Sequence, residues 1–223
     1  LKDLNIPYPR YGAAKTAEEA IEVAHEVGYP VLVRPSYVLG GQRMKIVIND
    51  DELTTAVIKI IKHHPNNNIL IDHFLDRASE AEVDAISDGD DVHIMGIMEH
   101  IEPAGIHSGD SGCSIPPYTL SDSILMRLRE QVTQLALELN VIGLMNIQFA
   151  VQGNSVFIIE VNPRASRTVP FISKCIGQSL VKSATKVMVG RSLKDIGFSN
   201  VLPANYFFVK EAVLPFDKFP AVD

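Results

Sequence analysis

The chain has 223 residues, of which 46% are hydrophobic, so it can bury a large core as one large domain or two small ones. Its formal net charge of −7 argues against nucleic acid as the main partner. No run of eighteen apolar residues occurs, so we expect no membrane span. No signal-peptide pattern follows Leu1, and the chain reads as a piece of a longer protein. Its two cysteines are far apart and in no metal-ligand spacing, which predicts reduced thiols in a cytoplasmic protein.

The first third of the chain begins with a predicted helix. Residues 16–27 have the apolar spacing of an amphipathic helix, with Thr16 and Glu19 in the positions of a capping box. Gly28 follows as a stop signal. The apolar residues after it predict a short buried strand over residues 29–35.

A glycine-rich loop and a second strand–helix pair come next. The Gly40-Gly41 loop precedes a predicted strand over residues 45–48. Asp50 is placed to cap a second helix, and Pro65 marks its end. A further strand is predicted over residues 68–75.

The middle of the chain contains a predicted hairpin and a long loop. Two strands, over residues 82–87 and 92–101, flank a turn at residues 88–91. Residues 103–120 show no clear period and contain several glycines and prolines. A loop of this length inside a compact domain is usually functional or disordered.

The last third contains a long helix, a hairpin and a short helical region. The helix starts at Ser121 and carries Leu125, Leu128, Val132, Leu135 and Leu139 on its apolar stripe. Strands are predicted over residues 144–151 and 156–161, and a helix over 179–189. The tail from residue 202 reads as the start of a further segment. Helices mixed with hairpins and long connections predict the α+β class, with two lobes around a cleft.

A cluster of polar residues at the end of the last strand predicts a metal and phosphate site. Glu160 and Asn162 offer oxygen ligands that suit a hard cation such as Mg²⁺. Arg164 and Arg167 follow within a few residues, and guanidinium groups suit phosphate oxygens. This combination is what binding a metal–nucleotide requires.

The position of Gln148 depends on the turn of the last hairpin. If the turn has three residues, 153–155, then Gln148 lies directly across from Glu160 and can share a cation with it, while Asn162 lies on the same face. A two-residue turn at 153–154 would place Gln148 on the opposite face. The alternative to a metal site is a solvated polar face of the sheet.

Three further groups of residues are candidates for ligand contact. Arg34 ends a buried strand before the glycine loop, where it can bind a phosphate or form a salt bridge with a local carboxylate. Histidines 73, 100 and 107 are candidates, although each can equally be a plain surface or packed side chain. Glu80 and Glu82 alternate along one strand, where one can accept hydrogen bonds from a ribose or both can face solvent.

Five motifs in order along the chain closely resemble the large chain of carbamoyl phosphate synthetases. They are Arg34-Pro35-Ser36-Tyr37-Val38-Leu39-Gly40-Gly41, Glu99-His100-Ile101-Glu102, Gly105-Ile106-His107-Ser108-Gly109-Asp110-Ser111, Asn146-Ile147-Gln148-Phe149 and Glu160-Val161-Asn162-Pro163-Arg164. Residues 107–110 and 168–171 are similar to the second of that family's two ATP-grasp halves, which phosphorylates carbamate. The resemblance runs from about residue 16 to the end of the chain.

The resemblance implies an ATP-grasp fold, with two lobes and the nucleotide between them. Residues 1–15 are then a partial lead-in and residues 16–75 a small lobe with a glycine-rich flap. Residues 76–200 are a large lobe with the metal and phosphate site, and residues 201–223 the truncated start of a following segment.

The resemblance also implies a set of site residues. Gln148, Glu160 and Asn162 are expected to hold the Mg²⁺ or Mn²⁺ ions that bridge ATP phosphates. Arg34 is expected to contact the transferring phosphates, and Arg164 and Arg167 the phosphoryl or carbamate oxygens. The remaining nucleotide contacts implied are His73 and Leu75 for adenine, Glu80 for ribose, and Gly105, Ile106, His107 and Ser108. The family's K⁺ site matches Glu80, His100, Glu102, Ile106 and Ser111.

The implied activity is Mg·ATP-dependent phosphorylation of carbamate to carbamoyl phosphate, for arginine and pyrimidine synthesis. The implied partners are ATP, carbamate, the rest of the large chain and a glutaminase small subunit. Because the family's half starts further upstream and continues further downstream, we expect weak Mg·ATP binding and little turnover from this chain alone. The alternatives are another ATP-grasp ligase or carboxylase, a non-catalytic ATP-binding regulatory module, and a plain α+β interaction domain.

Overall fold

The structure of the protein is a computed structural model that describes residues 1–36, 44–63, 67–106, 109–198 and 206–213. The chain forms two compact units, Tyr8–Asp76 and the combination of Leu1–Pro7 with Arg77–Asp223. Both units combine helices with antiparallel sheet, which confirms the predicted α+β class. Within the described residues, no helix has both the length and the apolar character that crossing a bilayer requires.

The described part of the unit Tyr8–Asp76 is a sheet packed against two helices. Its strands are β1 Tyr11–Ala14, β2 Val31–Pro35, β3 Lys45–Val47 and β4 Ile69–His73, and its helices are α1 Ala17–Val27 and α2 Asp50–His63. The sheet has the order β1-β4-β2-β3, with antiparallel pairing throughout. Its core buries small and branched residues from both layers, including Ala20, Val31, Leu53, Val57 and Ile71.

The helix caps of this unit confirm one prediction and correct another. The Thr16 side chain accepts a hydrogen bond from the Glu19 backbone at 3.2 Å, as expected for the start of α1. The prediction that Asp50 caps α2 is wrong. Asn49 has that role, because its Oδ1 accepts from the backbone N–H of Glu52 at 2.9 Å. Asp50 is the first residue of the helix.

Where the structure describes it, the other unit is a larger sheet covered by three helices. Its strands are β5 Ser79–Asp88, β6 Val92–Pro103, β7 Cys113–Ile115, β8 Ile142–Gln152, β9 Ser155–Asn162 and β10 Phe208–Lys210. Its helices are α3 Asp122–Glu138, α4 Val169–Ile176 and α5 Leu180–Met188. Among the described residues the strand order is β10-β7-β6-β5-β8-β9, so β5 and β8 lie inside the sheet.

The two faces of this sheet are buried differently. One face carries Val83, Ile147 and Phe149 and packs against Leu128 and Val132 of α3. The other face has an apolar part, where Ile86 and Met98 cluster with residues of α4 and α5. The rest of that second face carries polar side chains that are nevertheless buried, including Glu82, Asp84 and Asn146. The candidate site lies beside this buried polar region.

Several short elements were not predicted. Strands β1 and β7 have only three or four residues, and α4 has eight, with Pro170 in its first turn. Segments this short show little periodicity, so the sequence gives no clear signal for them. Leu139, placed on the apolar stripe of α3, is instead 50% exposed at the helix end. Predicted features within residues 37–43, 64–66, 199–205 and 214–223 lie outside the described residues.

Candidate functional site

The predicted metal ligands lie on one face of adjacent strands. Gln148 on β8 pairs directly with Glu160 on β9, and Asn146 pairs with Asn162 one step along. On the other side of β8, Gln148 pairs with Glu82 of β5. Side chains of paired residues point to the same face of a sheet. Glu82, Gln148 and Glu160 therefore form one polar row across the three strands, and Asn146 and Asn162 belong to a second row beside it.

The pairing of Gln148 with Glu160 confirms a prediction, but the reasoning behind it was wrong. The ladder closes at Gln152 and Ser155, so the turn has two residues, Gly153 and Asn154. A regular hairpin with that turn would put Gln148 opposite Ile159. A register shift between Gln148 and Phe149 inserts one extra residue into β9, between Ile158 and Glu160. This β-bulge at Ile159 returns Glu160 to its place across from Gln148.

Arg164 and Arg167 follow β9 and are both exposed. Arg164 donates from Nη1 to the Ala165 carbonyl at 3.0 Å and from Nη2 to Oδ1 of Asn162 at 3.2 Å. One predicted cation ligand, Asn162, therefore accepts a hydrogen bond from a predicted phosphate-binding residue. An oxygen in this position can bind a cation or orient a guanidinium, so the donor set suits a metal-bound phosphate.

A buried hydrogen-bond network lies beside these residues. Asn146 donates from Nδ2 to Oε1 of Glu82 at 2.7 Å and to Oδ1 of Asp84 at 3.2 Å. Asp84 also accepts from the hydroxyls of Ser166 and Thr168, at 2.6 Å and 2.5 Å. Burial raises the pKa of Asp84 to about 6, whereas these hydrogen bonds act to lower it.

Sequence reasoning missed this network apart from Glu82. The alternation of Glu80, Glu82 and Asp84 along one strand was a usable signal, because it places three carboxylates on one face. The partners of Asp84 in the loop after β9 are more than 80 residues away in sequence, and no local pattern reveals them.

Glu80 and His100 form a second buried group. Oε2 of Glu80 accepts from the backbone N–H of Gly105 at 3.1 Å, and its Oε1 lies 3.7 Å from Nδ1 of His100. Nε2 of His100 lies 3.2 Å from Oε2 of Glu82. Burial raises the pKa of Glu80, with smaller contributions in the same direction from Glu82 and Glu160, whereas His100 and the hydrogen bond from Gly105 act to lower it. Carboxylates are therefore concentrated on this part of the sheet.

Residues of the loop after β6 are only partly described. Gly105 has a φ of +106°, which favours glycine, and Ile106 is 45% exposed. The Ser111 hydroxyl donates to the Ile106 carbonyl at 3.4 Å, and Glu102 accepts from the backbone of Gly112 at 2.7 Å. The predicted contacts His107 and Ser108 lie outside the described residues.

Within the unit Tyr8–Asp76, Arg34 is paired with a carboxylate. Its Nε donates to Oδ2 of Asp72 at 2.7 Å, which is the salt bridge considered as an alternative from sequence. The pair is partly exposed, so ligand contact by the same guanidinium is compatible with it. Nδ1 of His73 lies 2.9 Å from the Gly28 carbonyl, and Leu75 is half-buried after β4.

The described residues contain no group of three or more histidine, cysteine, aspartate or glutamate side chains arranged to hold a metal ion. The predicted ligand set has a single carboxylate, Glu160, with the amide oxygens of Gln148 and Asn162. A cation held this way keeps most of its charge for other anionic ligands such as phosphate.

Comparison with known proteins identifies the relatives of this chain. Residues 1–196 match the family described as "Carbamoyl-phosphate synthase L chain, ATP binding domain". The chain is 52% identical over 220 residues to the carbamoyl phosphate synthase large chain of Pseudomonas aeruginosa, an alignment that covers 99% of this chain and 20% of the relative. It is 52% identical over 223 residues to the Halobacterium salinarum large chain, covering 100% and 21%. The chain thus spans about one fifth of the length of these relatives.

Solved structures with low sequence identity share the fold. The biotin carboxylase–β-γ-ATP complex from Campylobacter jejuni matches with a TM-score of 0.79 at 21% identity, covering 93% of this chain and 47% of that one. The biotin carboxylase domain of 2-oxoglutarate carboxylase from Hydrogenobacter thermophilus, in complex with Mg·ADP, ADP and bicarbonate, matches with a TM-score of 0.76 at 22% identity and the same coverage. These likenesses confirm the predicted ATP-grasp fold.

Proposed function

Because the chain belongs to the ATP-binding domain family of the carbamoyl phosphate synthase large chain, we propose that it binds Mg·ATP and acts in the phosphorylation of carbamate to carbamoyl phosphate. The observation that carries this proposal is the row formed by Gln148 and Glu160, with Asn162 on the same face and two arginines directly after it. Motifs in residues 107–110 and 168–171 favour the second of the family's two halves.

The roles of the metal and the arginines follow from the chemistry of phosphoryl transfer. Gln148, Glu160 and Asn162 would hold Mg²⁺ or Mn²⁺, which neutralises phosphate charge and orients the γ-phosphoryl group when bound. As the carbamate oxygen attacks the γ-phosphorus of ATP and the bond to ADP breaks, charge spreads over the phosphoryl oxygens, so positioning and cationic groups supply most of the catalysis. Arg164 and Arg167 are proposed to bind those oxygens. No protein nucleophile is required.

The other predicted contacts are proposals that rest on the sequence resemblance. We assign Arg34 to the phosphates, His73 and Leu75 to adenine, and Glu80 to ribose. Gly105, Ile106, His107 and Ser108 complete the nucleotide contacts. A K⁺ ion is proposed near Glu80, His100, Glu102, Ile106 and Ser111. The buried carboxylate of Glu80, with Glu82 and Glu160 close enough to act on it, supports a cation there.

The wider setting is also a proposal, because the relatives are about five times longer than this chain. We propose that residues 16–75 and 76–200 act as the small and large lobes of one ATP-grasp unit. The rest of a large chain and a glutaminase small subunit are the proposed partners, and a cytoplasmic location is supported by two free, buried cysteines.

Titration calorimetry with ATP, in the presence and absence of Mg²⁺, tests nucleotide binding. We expect Mg²⁺-dependent binding by the chain, reduced at least about tenfold by Glu160→Gln, because an amide replaces the only carboxylate of the ligand set. Glu138→Gln, on the exposed end of α3, is the matched control and should bind as the parent does. Binding that ignores Mg²⁺, or an equal effect of both substitutions, would argue against the metal site.

Synthesis of ATP from carbamoyl phosphate and ADP tests the reaction itself. We expect this activity in the chain joined to the sequence that flanks it in its gene, and its loss in Glu160→Gln. A protein that binds Mg·ATP but never forms ATP from carbamoyl phosphate would be a non-catalytic module or an enzyme for another acid. That result would reject the proposed reaction while leaving the metal site in place.

A further inference from the structure

The loop that carries Arg167 is fastened on both sides of that residue to one buried carboxylate. Ser166 donates its hydroxyl to Oδ1 of Asp84 at 2.6 Å, and Thr168 donates to Oδ2 of the same side chain at 2.5 Å. The backbone N–H of Thr168 also donates to Oγ of Ser166, at 3.2 Å. The residues before and after Arg167 are therefore held in one arrangement, while Arg167 itself is exposed.

The anchor for this loop belongs to the interior of the sheet. Asp84 is fully buried on β5, directly opposite Asn146 on β8. Asn146 donates to both Asp84 and Glu82, so the Asp84 carboxylate that holds the loop is itself oriented by a residue of the sheet. A side chain positioned in this way on a central strand provides a rigid reference point.

Arg164, three residues earlier, is held in a different way. Its contacts are to the Ala165 carbonyl and to Asn162, both close in sequence and on the exposed side of the loop. No hydrogen bond recorded for the described residues ties Arg164 to β5 or β8. The link to the sheet interior is thus specific to the segment around Arg167.

The stability of the fold does not by itself explain why residue 84 is an aspartate. A fully buried carboxylate is costly, and a neutral acceptor or an apolar pair is often at least as favourable for stability. An ionised carboxylate is, however, a stronger and more directional acceptor than an amide. The two short hydrogen bonds to Asp84 fix the residues on either side of Arg167. Fixing both neighbours in this way places the arginine precisely.

We propose that Asp84 is a positioning residue for Arg167, acting through the hydroxyls of Ser166 and Thr168. The proposal rests on the proposed function only in that Arg167 binds the phosphoryl or carbamate oxygens. Asp84 itself touches no substrate. Its effect is to hold the Arg167 backbone where the guanidinium meets the transferring group.

Backbone ¹⁵N relaxation of Arg167 tests the structural part of the proposal without any substrate. In the parent chain we expect an order parameter near that of the sheet, about 0.85, falling toward about 0.6 in Asp84→Asn. Because a substitution at a buried site can disturb folding, Ser166→Ala with Thr168→Val provides a second test in which Asp84 is kept. An unchanged order parameter in both variants would overturn the proposal, whatever the activity.

Kinetics test the functional part, with ATP synthesis from carbamoyl phosphate and ADP in the full chain that carries this sequence. We expect Asp84→Asn to lower kcat about tenfold or more and to leave KM for ADP unchanged. In an Arg167→Ala background, Asp84→Asn should cause no further loss, since its effect passes through Arg167. Thr168→Ser, which keeps the hydroxyl, should retain most of the activity that Thr168→Val loses.

The outcomes separate this inference from the proposed function. Independent, multiplicative losses for Asp84→Asn and Arg167→Ala would mean that Asp84 acts by general stability, and the inference would be wrong. If the parent protein forms no ATP from carbamoyl phosphate, the proposed reaction fails, and the relaxation experiment alone decides whether Asp84 orders Arg167.

Discussion

Gln148 lies directly opposite Glu160 in the last hairpin, although the turn that joins their strands has only two residues. The bulge at Ile159 reconciles this pairing with the short turn, since it adds one residue to β9 between the turn and Glu160. Ile158 remains buried in the core, while Ile159 is 46% exposed. Ile159 thus acts as a spacer, and Ile158 as the residue that packs.

Deletion of Ile159 should therefore leave the metal face intact. The shortened strand would form a regular ladder in which one isoleucine still packs inward and Gln148 still faces Glu160. We expect Mg·ATP affinity within about threefold of the parent, a change of less than about 1 kcal/mol. Calorimetry with Mg·ATP measures it.

Deletion of Val161 is the matched control for that experiment. It removes one residue between Glu160 and Asn162, so Asn162 moves to the opposite face of the strand. We expect a loss of Mg²⁺-dependent affinity of at least about tenfold. Equal losses in the two deletions would show that the bulge itself shapes the site.

Asp84→Asn should change how the stability of the fold depends on pH. Burial raises the pKa of Asp84 from its usual 3.8 to about 6, so the folded state holds this proton more tightly than the unfolded state does. The contribution of Asp84 to stability is therefore greatest below about pH 4, falls as the pH rises to about 6, and stays low above that.

Urea unfolding at a series of pH values measures this contribution as the difference between the parent and Asp84→Asn. The stability of the parent relative to the variant should fall between about pH 4 and pH 6 by no more than about 3 kcal/mol. Using the difference removes the contribution of Glu80, whose pKa burial also raises. A difference that rises with pH, or stays flat, would contradict the assignment.

The two cysteines should be unreactive until the protein unfolds. Burial raises the pKa of the Cys113 thiol to about 11 and also raises that of Cys175, and both side chains are buried. Since the thiolate is the reactive form, Ellman's reagent at pH 8 should label neither residue in the native chain and both in urea. Gln134→Cys, on the exposed side of α3, should add one thiol that reacts at once.

The start of α2 offers a test of the corrected cap. Asn49→Ala removes the side-chain oxygen that accepts from Glu52, and we expect it to lower the free energy of unfolding by about 1 kcal/mol. Gln134→Ala, a surface change on α3, should alter it by less than about 0.5 kcal/mol. Chemical denaturation of both variants compares them, and equal effects would reject the cap.

Elements with long, regular patterns were predictable from sequence. The apolar stripe and caps of α1 were enough to predict where this helix lies. The alternating residues of β8 and the turn signal between β5 and β6 were likewise enough to predict those strands. The β9 register was ambiguous, because two consecutive isoleucines fit either a longer turn or a bulge. The sequence has no preference between them, and only the packed core decides which isoleucine faces inward.

The candidate site was predictable only where its members are neighbours along the chain. Glu160, Asn162 and the two arginines occur together, and Gln148 is one hairpin away. The anchor of Arg167 was not predictable, since Asp84 and Ser166 are 82 residues apart and meet only when β8 lies between β5 and β9. The functional meaning of Ser166 and Thr168 depends on that long-range pairing.

The separation of these partners also bears on the order in which the protein is made. While it is being synthesised, the chain can form the β5–β6 hairpin well before Asn146, Ser166 and Thr168 have left the ribosome. Until then Asp84 lacks the donors that compensate its burial in the finished sheet. We expect the charge of Asp84 to keep that face of the nascent hairpin in water and to oppose its premature collapse. We therefore expect the acidic strand to delay closure of this part of the sheet until residues 166–168 have been made.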